Sequence, residues 1–127
     1  MLLLDSQALL WVLAGSSRLG PRAQRTVETD SGVHVSAATV WELMIKAMLG
    51  KLDLPAGLPQ LLDDEGVSIL DVTAAHAEGL RTFPELVRHD PFDRLIVAQA
   101  QCEGWRLLTA DRVLLGLGRD FVVDATR

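Results

Sequence analysis

Three acidic residues stand where a predicted strand ends or a predicted helix begins, a fourth lies within a helix, and acids placed in this way are typical of metal-ion chemistry. Asp5 directly follows an apolar strand-like run, and Asp111 follows another one. Asp93 lies in the first turn of a predicted helix, and Glu42 lies nearly two turns into a different helix. In open α/β sheets, ligands bind beyond the carboxyl ends of the strands. All four side chains can therefore reach the same edge of one sheet.

Four carboxylates in one crevice need a compensating charge, because like charges raise one another's pKa. A divalent cation supplies that charge. Oxygen donors favour Mg²⁺ or Mn²⁺ over zinc or copper, and the single cysteine and three scattered histidines form no zinc motif. Mg²⁺ held by a few carboxylates also binds substrate phosphates. The predicted chemistry is therefore phosphodiester hydrolysis, in which one metal position activates water and a second stabilises the leaving oxygen.

Each of these acids also has a purely structural interpretation. Asp5 and Asp111 could cap the helices that follow them, and Asp93 stands where an acid interacts favourably with the helix dipole. Glu42 could simply pair with Lys46 one turn later. The direction of the Asp93 side chain favours the functional interpretation, because this acid shares its helix face with apolar residues. Glu42 lies on a helix that is apolar around most of its circumference, so we expect both carboxylates in enclosed places.

The elements that position these acids alternate along the whole chain. The predicted strands are Leu2–Asp5, Val33–Ser36, Val67–Asp71, Arg106–Thr109 and Phe121–Val123. The predicted helices are Gln7–Ala14, Pro21–Glu28, Ala37–Leu49, Leu58–Asp64, Ala74–Thr82 and Pro91–Glu103, with a short helical turn after Asp111. Continuous apolar strands are typical of a parallel sheet buried on both faces. We therefore predict an α/β/α sandwich with a central, mostly parallel five-stranded sheet.

Composition limits the class of protein. A length of 127 residues fits one domain, residues 1–127. Seventeen acidic against twelve basic residues give a net charge of −5, without the basic footprint of a nonspecific nucleic-acid binder. The apolar runs are shorter than the ~18 residues that span a bilayer, and the start Met-Leu-Leu-Leu-Asp lacks a basic leader. We expect a cytoplasmic protein with no membrane association.

Four sequence blocks resemble the PIN-domain family, and among its members most closely the bacterial VapC-type toxins. The blocks are Leu-Leu-Leu-Asp-Ser-Gln-Ala-Leu-Leu-Trp from residue 2, Ser-Ala-Ala-Thr-Val-Trp-Glu-Leu at 36–43, His-Asp-Pro-Phe-Asp-Arg-Leu-Ile-Val-Ala-Gln-Ala at 89–100 and Leu-Leu-Thr-Ala-Asp at 107–111. Their order and spacing match from residue 2 to about 125. The resemblance implies a PIN-like fold and a Mg²⁺- or Mn²⁺-dependent endoribonuclease, the toxin of a type II toxin–antitoxin pair. It also implies an RNA substrate, a cognate antitoxin protein and a homodimer.

The resemblance also assigns roles to individual residues. The family's acidic quartet, the catalytic metal ligands, falls on Asp5, Glu42, Asp93 and Asp111. Asp93 is preferred to Asp90 because it lies eighteen residues before the last acid of the quartet. Ser6 and Thr109 would orient ligands or water, while Asp90 would cap its helix and could touch a metal-bound water.

An RNA substrate also requires cations near the acids. Lys46, Arg94 and Arg112 are the predicted phosphate contacts. The arginines at 18, 22 and 25 recur within eight residues, and we expect them to extend a basic rim around the acidic floor. The alternative is that they are ordinary solvated surface residues. An antitoxin segment is expected to lie near Arg18–Arg25 and Leu52–Leu62.

Three further side chains have alternative roles. His89 could act as a general acid for the leaving group. Trp11 and Trp41 could stack on bases, but each lies in an apolar helical run, so we predict that both pack in the core.

Two other classes of function compete with the nuclease. A phosphoacceptor signalling domain also places acids at strand ends. Domains of that class resemble one another in carrying a lysine at the end of a late strand. Both lysines of this chain, Lys46 and Lys51, are early. A catalytically inactive PIN-like binding module is disfavoured by the intact acidic quartet, although retained acids do not prove turnover.

Overall fold

The computed structural model describes all 127 residues, which form five strands, seven α-helices and two short 3-10 helices. The strands are β1 (Leu2–Leu4), β2 (Val33–Ser36), β3 (Val67–Leu70), β4 (Arg106–Thr109) and β5 (Val122–Asp124). The α-helices are α1 (Ser6–Ala14), α2 (Pro21–Thr29), α3 (Ala37–Met48), α4 (Leu58–Asp64), α5 (Ala74–Glu78), α6 (Pro91–Glu103) and α7 (Arg112–Leu115). The 3-10 helices are Gly79–Thr82 and Pro84–Leu86.

All five strands form one sheet, in the order β3-β2-β1-β4-β5, and every neighbouring pair is parallel. The predicted five-stranded sheet is thus confirmed, and it is parallel throughout. The chain moves from β1 to β2 and β3 in one direction, and then returns to place β4 on the other side of β1. Ligands bind at such a reversal in open α/β sheets. Leu4 pairs with Leu108, so the residues that follow β1 and β4 arrive together at this point.

The core lies on both faces of the sheet. Leu2 and Leu4 pack in one apolar cluster, and Leu3 packs in another on the opposite face. All three side chains are fully buried, which agrees with the continuous apolar runs of the strands. None of the helices combines the length and the apolar character needed to cross a bilayer.

Helix α3 is less buried than the sequence predicts. Only one stripe, which includes Glu42 and Leu43, is buried. Trp41 is 64% exposed and Met48 is 88% exposed, so the prediction that Trp41 packs in the core is wrong. Val40 and Met44 are partly buried against the core, whereas Trp41 and Met48 lie on the side of the helix that faces solvent. Trp11 does pack against the core, half-buried.

Several predicted element boundaries also move, most of them by one residue. β1 ends at Leu4 because Asp5 is the N-cap of α1. The predicted helix over 74–82 changes to 3-10 geometry at Gly79, a residue that lowers α-helix propensity. The last strand lies one residue later than predicted, at Val122–Asp124.

Candidate metal centre

One cleft at the carboxyl edge of β1 and β4 collects the predicted acids. Its lining consists of Asp5, Ser6, Gln7, Glu42, Lys46, His89, Asp90, Asp93, Ala110 and Asp111. Asp5 and Asp111 enter it directly after their strands, while Glu42 and Asp93 enter it from α3 and α6. Five carboxylates thus face one lysine and one histidine. This cleft has a large excess of negative charge.

Both carboxylate oxygens of Asp5, a residue that lines the cleft, accept hydrogen bonds within the fold. Its Oδ1 accepts a hydrogen bond from the Ala8 backbone N–H at 2.7 Å, which caps α1. Its Oδ2 accepts a hydrogen bond from the Thr109 hydroxyl. The residue is only 4% exposed. Burial raises the pKa of the Asp5 carboxyl, although both hydrogen bonds act in the opposite direction.

Thr109 connects the ends of the two central strands. It is fully buried at the end of β4. Besides donating to Asp5, its hydroxyl oxygen accepts a hydrogen bond from the backbone N–H of Asp111 at 3.0 Å. One hydroxyl therefore fixes the Asp5 carboxylate and the main chain that carries Asp111.

Asp111 divides its two oxygens between a helix cap and the cleft. Its Oδ1 accepts from the backbone N–H groups of Val113 and Leu114, at 2.9 and 3.0 Å, and so caps α7. Its Oδ2 lies 3.5 Å from Nε2 of His89. The capping interpretation and the functional interpretation of this acid are therefore compatible.

Asp93 lies opposite Asp111 across His89. Its Oδ2 is 3.2 Å from Nε2 of His89. Burial, reinforced by the charges of Asp90, Asp111 and Asp5, raises the pKa of the Asp93 carboxyl to about 7, and His89 acts in the opposite direction. The sequence suggests for His89 only the role of a general acid. His89 stands four residues before Asp93, and this spacing could have predicted that the two side chains lie close together.

Asp90 holds the start of α6 in place. Its Oδ1 accepts from the backbone N–H groups of Phe92 and Asp93, at 2.9 and 3.1 Å, and Pro91 occupies the first helical turn. The predicted capping role of Asp90 is confirmed. This cap orients the first turn, from which Asp93 projects into the cleft.

Glu42 and Lys46 form the far wall of the cleft. Glu42 is 8% exposed, and its Oε2 lies 3.0 Å from Nζ of Lys46, whose side chain is about half exposed. The negative charge of Glu42 contributes to the raised pKa of Asp5. The pair therefore leaves one half-exposed ammonium group beside the acids.

The donor set fits a hard divalent cation. His89, Asp93 and Asp111 present ligand atoms that all lie within 4.8 Å of one another. Most donors in the cleft are carboxylate oxygens, which Mg²⁺ and Mn²⁺ prefer. Burial is the largest cause of the raised pKa values of both Asp5 and Asp93, and the charges of neighbouring carboxylates add to it.

Several predicted cationic contacts lie elsewhere. The Arg94 guanidinium donates to the Val87 carbonyl at 2.9 Å, and neither Arg94 nor Arg112 lines the acidic cleft. Arg22 and Arg25 line a separate polar cleft with Arg106, the first residue of β4, at the amino edge of the sheet. The predicted extension of the basic rim by Arg22 and Arg25 is therefore wrong, because α2 directs them to the opposite edge.

Comparison with known proteins agrees with this arrangement. The family model described as PIN domain matches residues 2–119. Ribonuclease VapC22 of Mycobacterium tuberculosis is 33% identical over 114 residues, which cover 88% of each chain. A toxin–antitoxin complex from Klebsiella pneumoniae contains a chain of similar fold, with a TM-score of 0.68 at 18% identity over 97% of this chain and 96% of that one. VapBC2 from Rickettsia felis, bound to a DNA fragment from its promoter, gives a TM-score of 0.67 at 14% identity and the same coverage. The chain therefore belongs to the PIN domain family and, within it, to the VapC type.

Proposed function

We propose that this protein is a Mg²⁺- or Mn²⁺-dependent endoribonuclease and the toxin of a type II toxin–antitoxin pair. The convergence of Asp5, Asp93 and Asp111 on one negatively charged cleft is the observation that carries the proposal. The 33% identity to ribonuclease VapC22 supports RNA as the substrate class.

The proposed reaction is the hydrolysis of an RNA phosphodiester bond by water. A divalent cation in the cleft would lower the pKa of a nearby water and stabilise negative charge on the scissile phosphate. The chain's own contribution is to hold the three aspartates rigidly, since Asp5 and Asp111 are fixed by helix caps and by Thr109. Lys46 neutralises Glu42 and presents its half-exposed ammonium group to a substrate phosphate.

Metal removal tests the proposed activity. We expect the purified protein to cleave RNA in Mg²⁺ and to lose at least ~100-fold of that rate in excess EDTA, because charge stabilisation by the cation accounts for several kcal/mol. Electrophoresis of a defined mixture of tRNA, rRNA and mRNA provides the readout, and added Mg²⁺ should restore cleavage. Cleavage that survives EDTA would contradict the metal mechanism. An absence of cleavage with every RNA and metal would favour the inactive binding module.

The buried hydroxyl of Thr109 provides a second prediction. Thr109→Val preserves the shape of the side chain but removes its hydrogen bonds to Asp5 and Asp111. We expect Mn²⁺ affinity, measured by isothermal titration calorimetry, to fall by ~10-fold to 100-fold, as is usual when a group that orients a ligand is lost. Thr109→Ser keeps the hydroxyl and should bind Mn²⁺ nearly as well as the unsubstituted protein. Equal affinity in the valine and serine variants would exclude this positioning role.

Exposed apolar surface supports the proposed protein partners. A groove lined by Trp11, Val12, Leu19 and Val27 lies between α1 and α2, close to the stretch where an antitoxin segment is expected. Trp41 is exposed on α3 next to Phe92, at a ring-centroid distance of 5.8 Å. We assign the first surface to the antitoxin and the second to a homodimer contact. A protein that sediments as a monomer at micromolar concentration would contradict the dimer.

A further inference from the structure

His89 has an unusual environment for a histidine beside acids. Its Nε2 is buried, lies between Oδ2 of Asp93 at 3.2 Å and Oδ2 of Asp111 at 3.5 Å, and has no well-directed hydrogen bond to either. The backbone N–H of His89 donates to the Leu86 carbonyl at 3.0 Å, which fixes the turn that carries the ring. The nitrogen is thus held beside two carboxylates without a hydrogen bond that satisfies it.

These spacings match those of ligands around a single ion. Two neighbouring ligands of an octahedral cation, each at about 2.1 Å, lie roughly 3.0 Å apart, and opposite ligands lie roughly 4.2 Å apart. The distances from Nε2 to the two carboxylate oxygens fall in this range, and all three ligand atoms lie within 4.8 Å of one another.

We infer that Nε2 of His89 is itself a ligand of the divalent cation, together with Asp93 and Asp111, an inference that rests on the metal site proposed above. An ordinary ion pair would direct an N–H at one carboxylate oxygen, whereas this nitrogen is directed at neither. A nitrogen that binds a cation cannot donate a proton, so this role replaces the general-acid role weighed for His89.

One imidazole among carboxylates changes the preference of the site for metals. Nitrogen donors increase affinity along the first-row transition metals, whereas Mg²⁺ prefers oxygen. His89→Gln should therefore reduce Mn²⁺ affinity by ~10-fold or more and Mg²⁺ affinity much less. The ratio of the two affinities, measured by calorimetry, separates loss of a nitrogen ligand from general damage to the site.

Pulsed electron paramagnetic resonance of bound Mn²⁺ tests the inference without an activity assay. We expect nitrogen modulation from a directly bound imidazole in the unsubstituted protein, a change in its pattern after ¹⁵N-histidine labelling, and its loss in His89→Gln. His34→Gln is the matched control, because His34 stacks on Trp105 and is not part of the cleft lining; it should keep the modulation.

The outcomes separate this inference from the function on which it rests. Bound Mn²⁺ without histidine modulation would overturn ligation by His89 and leave the carboxylate site standing. Nitrogen modulation that persists unchanged in His89→Gln would also overturn ligation by His89. Failure of the unsubstituted protein to bind Mn²⁺ would overturn both the inference and the proposed metal site.

Discussion

Asp5→Asn protein is expected to cleave RNA at least ~100-fold more slowly than the unsubstituted protein while keeping its fold. The asparagine amide oxygen can still accept the hydrogen bond from Ala8 that caps α1. The substitution removes the negative charge that a divalent cation requires, and it places a neutral amide against the Thr109 hydroxyl. Each ~1.4 kcal/mol of lost transition-state stabilisation slows a reaction tenfold. Loss of several kcal/mol of charge stabilisation by the cation therefore corresponds to a rate at least ~100-fold lower.

The controls for this substitution separate charge from structure. Asp53→Asn changes an exposed acid outside the cleft and should leave cleavage unchanged. Asp5→Ala also removes the helix cap and should cost about 1 kcal/mol of stability in addition to activity. RNA cleavage rates and thermal unfolding of the four proteins provide the comparison. Cleavage by Asp5→Asn within twofold of the unsubstituted rate would refute a catalytic role for this carboxylate.

Asp93→Asn is expected to make the metal-free protein more stable at pH 8 and to abolish stabilisation by Mg²⁺. The pKa of Asp93 rises from 3.8 in the unfolded chain to about 7 in the fold, mainly because of burial. The folded protein therefore binds this proton more tightly than the unfolded chain does. Its stability falls as the pH rises from 3.8 towards 7, and above 7 the full penalty of the ionised carboxylate is present.

Thermal unfolding in EDTA across pH 4 to 8 measures this effect. Because the Asp93 side chain is partly exposed, we expect a gain of about 1–2 kcal/mol at pH 8 and little difference at pH 4. At about 4 °C per kcal/mol, this gain raises the melting temperature by roughly 4–8 °C. Mg²⁺ should stabilise the unsubstituted protein at pH 8 and leave the variant unchanged. A variant that is destabilised at pH 8, or that still responds to Mg²⁺, would be inconsistent with this account.

The placement of the acids could be predicted from the sequence because strand ends and helix starts are local features. Asp5 and Asp111 follow short apolar runs, and parallel strands bring such ends to one edge of a sheet. Their structural and functional interpretations seemed to compete. The structure shows that one oxygen of each carboxylate caps a helix, while the other accepts from Thr109 in Asp5 and lies near His89 in Asp111. A helix cap therefore helps to hold a carboxylate in position for its second role.

The errors arose where burial or direction depends on distant parts of the chain. Trp41 lies in an apolar stretch, but periodicity does not reveal which sides of a helix other elements cover, and this side chain is 64% exposed. Arg22 and Arg25 cluster with Arg18 in the sequence, yet α2 carries them to the amino edge of the sheet, beside Arg106. His89 precedes its helix, so the helical pattern alone did not predict its direction.

The central claim is that the cleft at the carboxyl edge of β1 and β4 binds a divalent cation through its acids. Anomalous diffraction from crystals soaked in Mn²⁺ tests it most directly, because the signal locates the ion itself. We predict a peak within about 2.0–2.6 Å of carboxylate oxygens of Asp5, Asp93 or Asp111, the range for hard cations. A map with no peak in this cleft, or with peaks only elsewhere on the protein, would contradict the account.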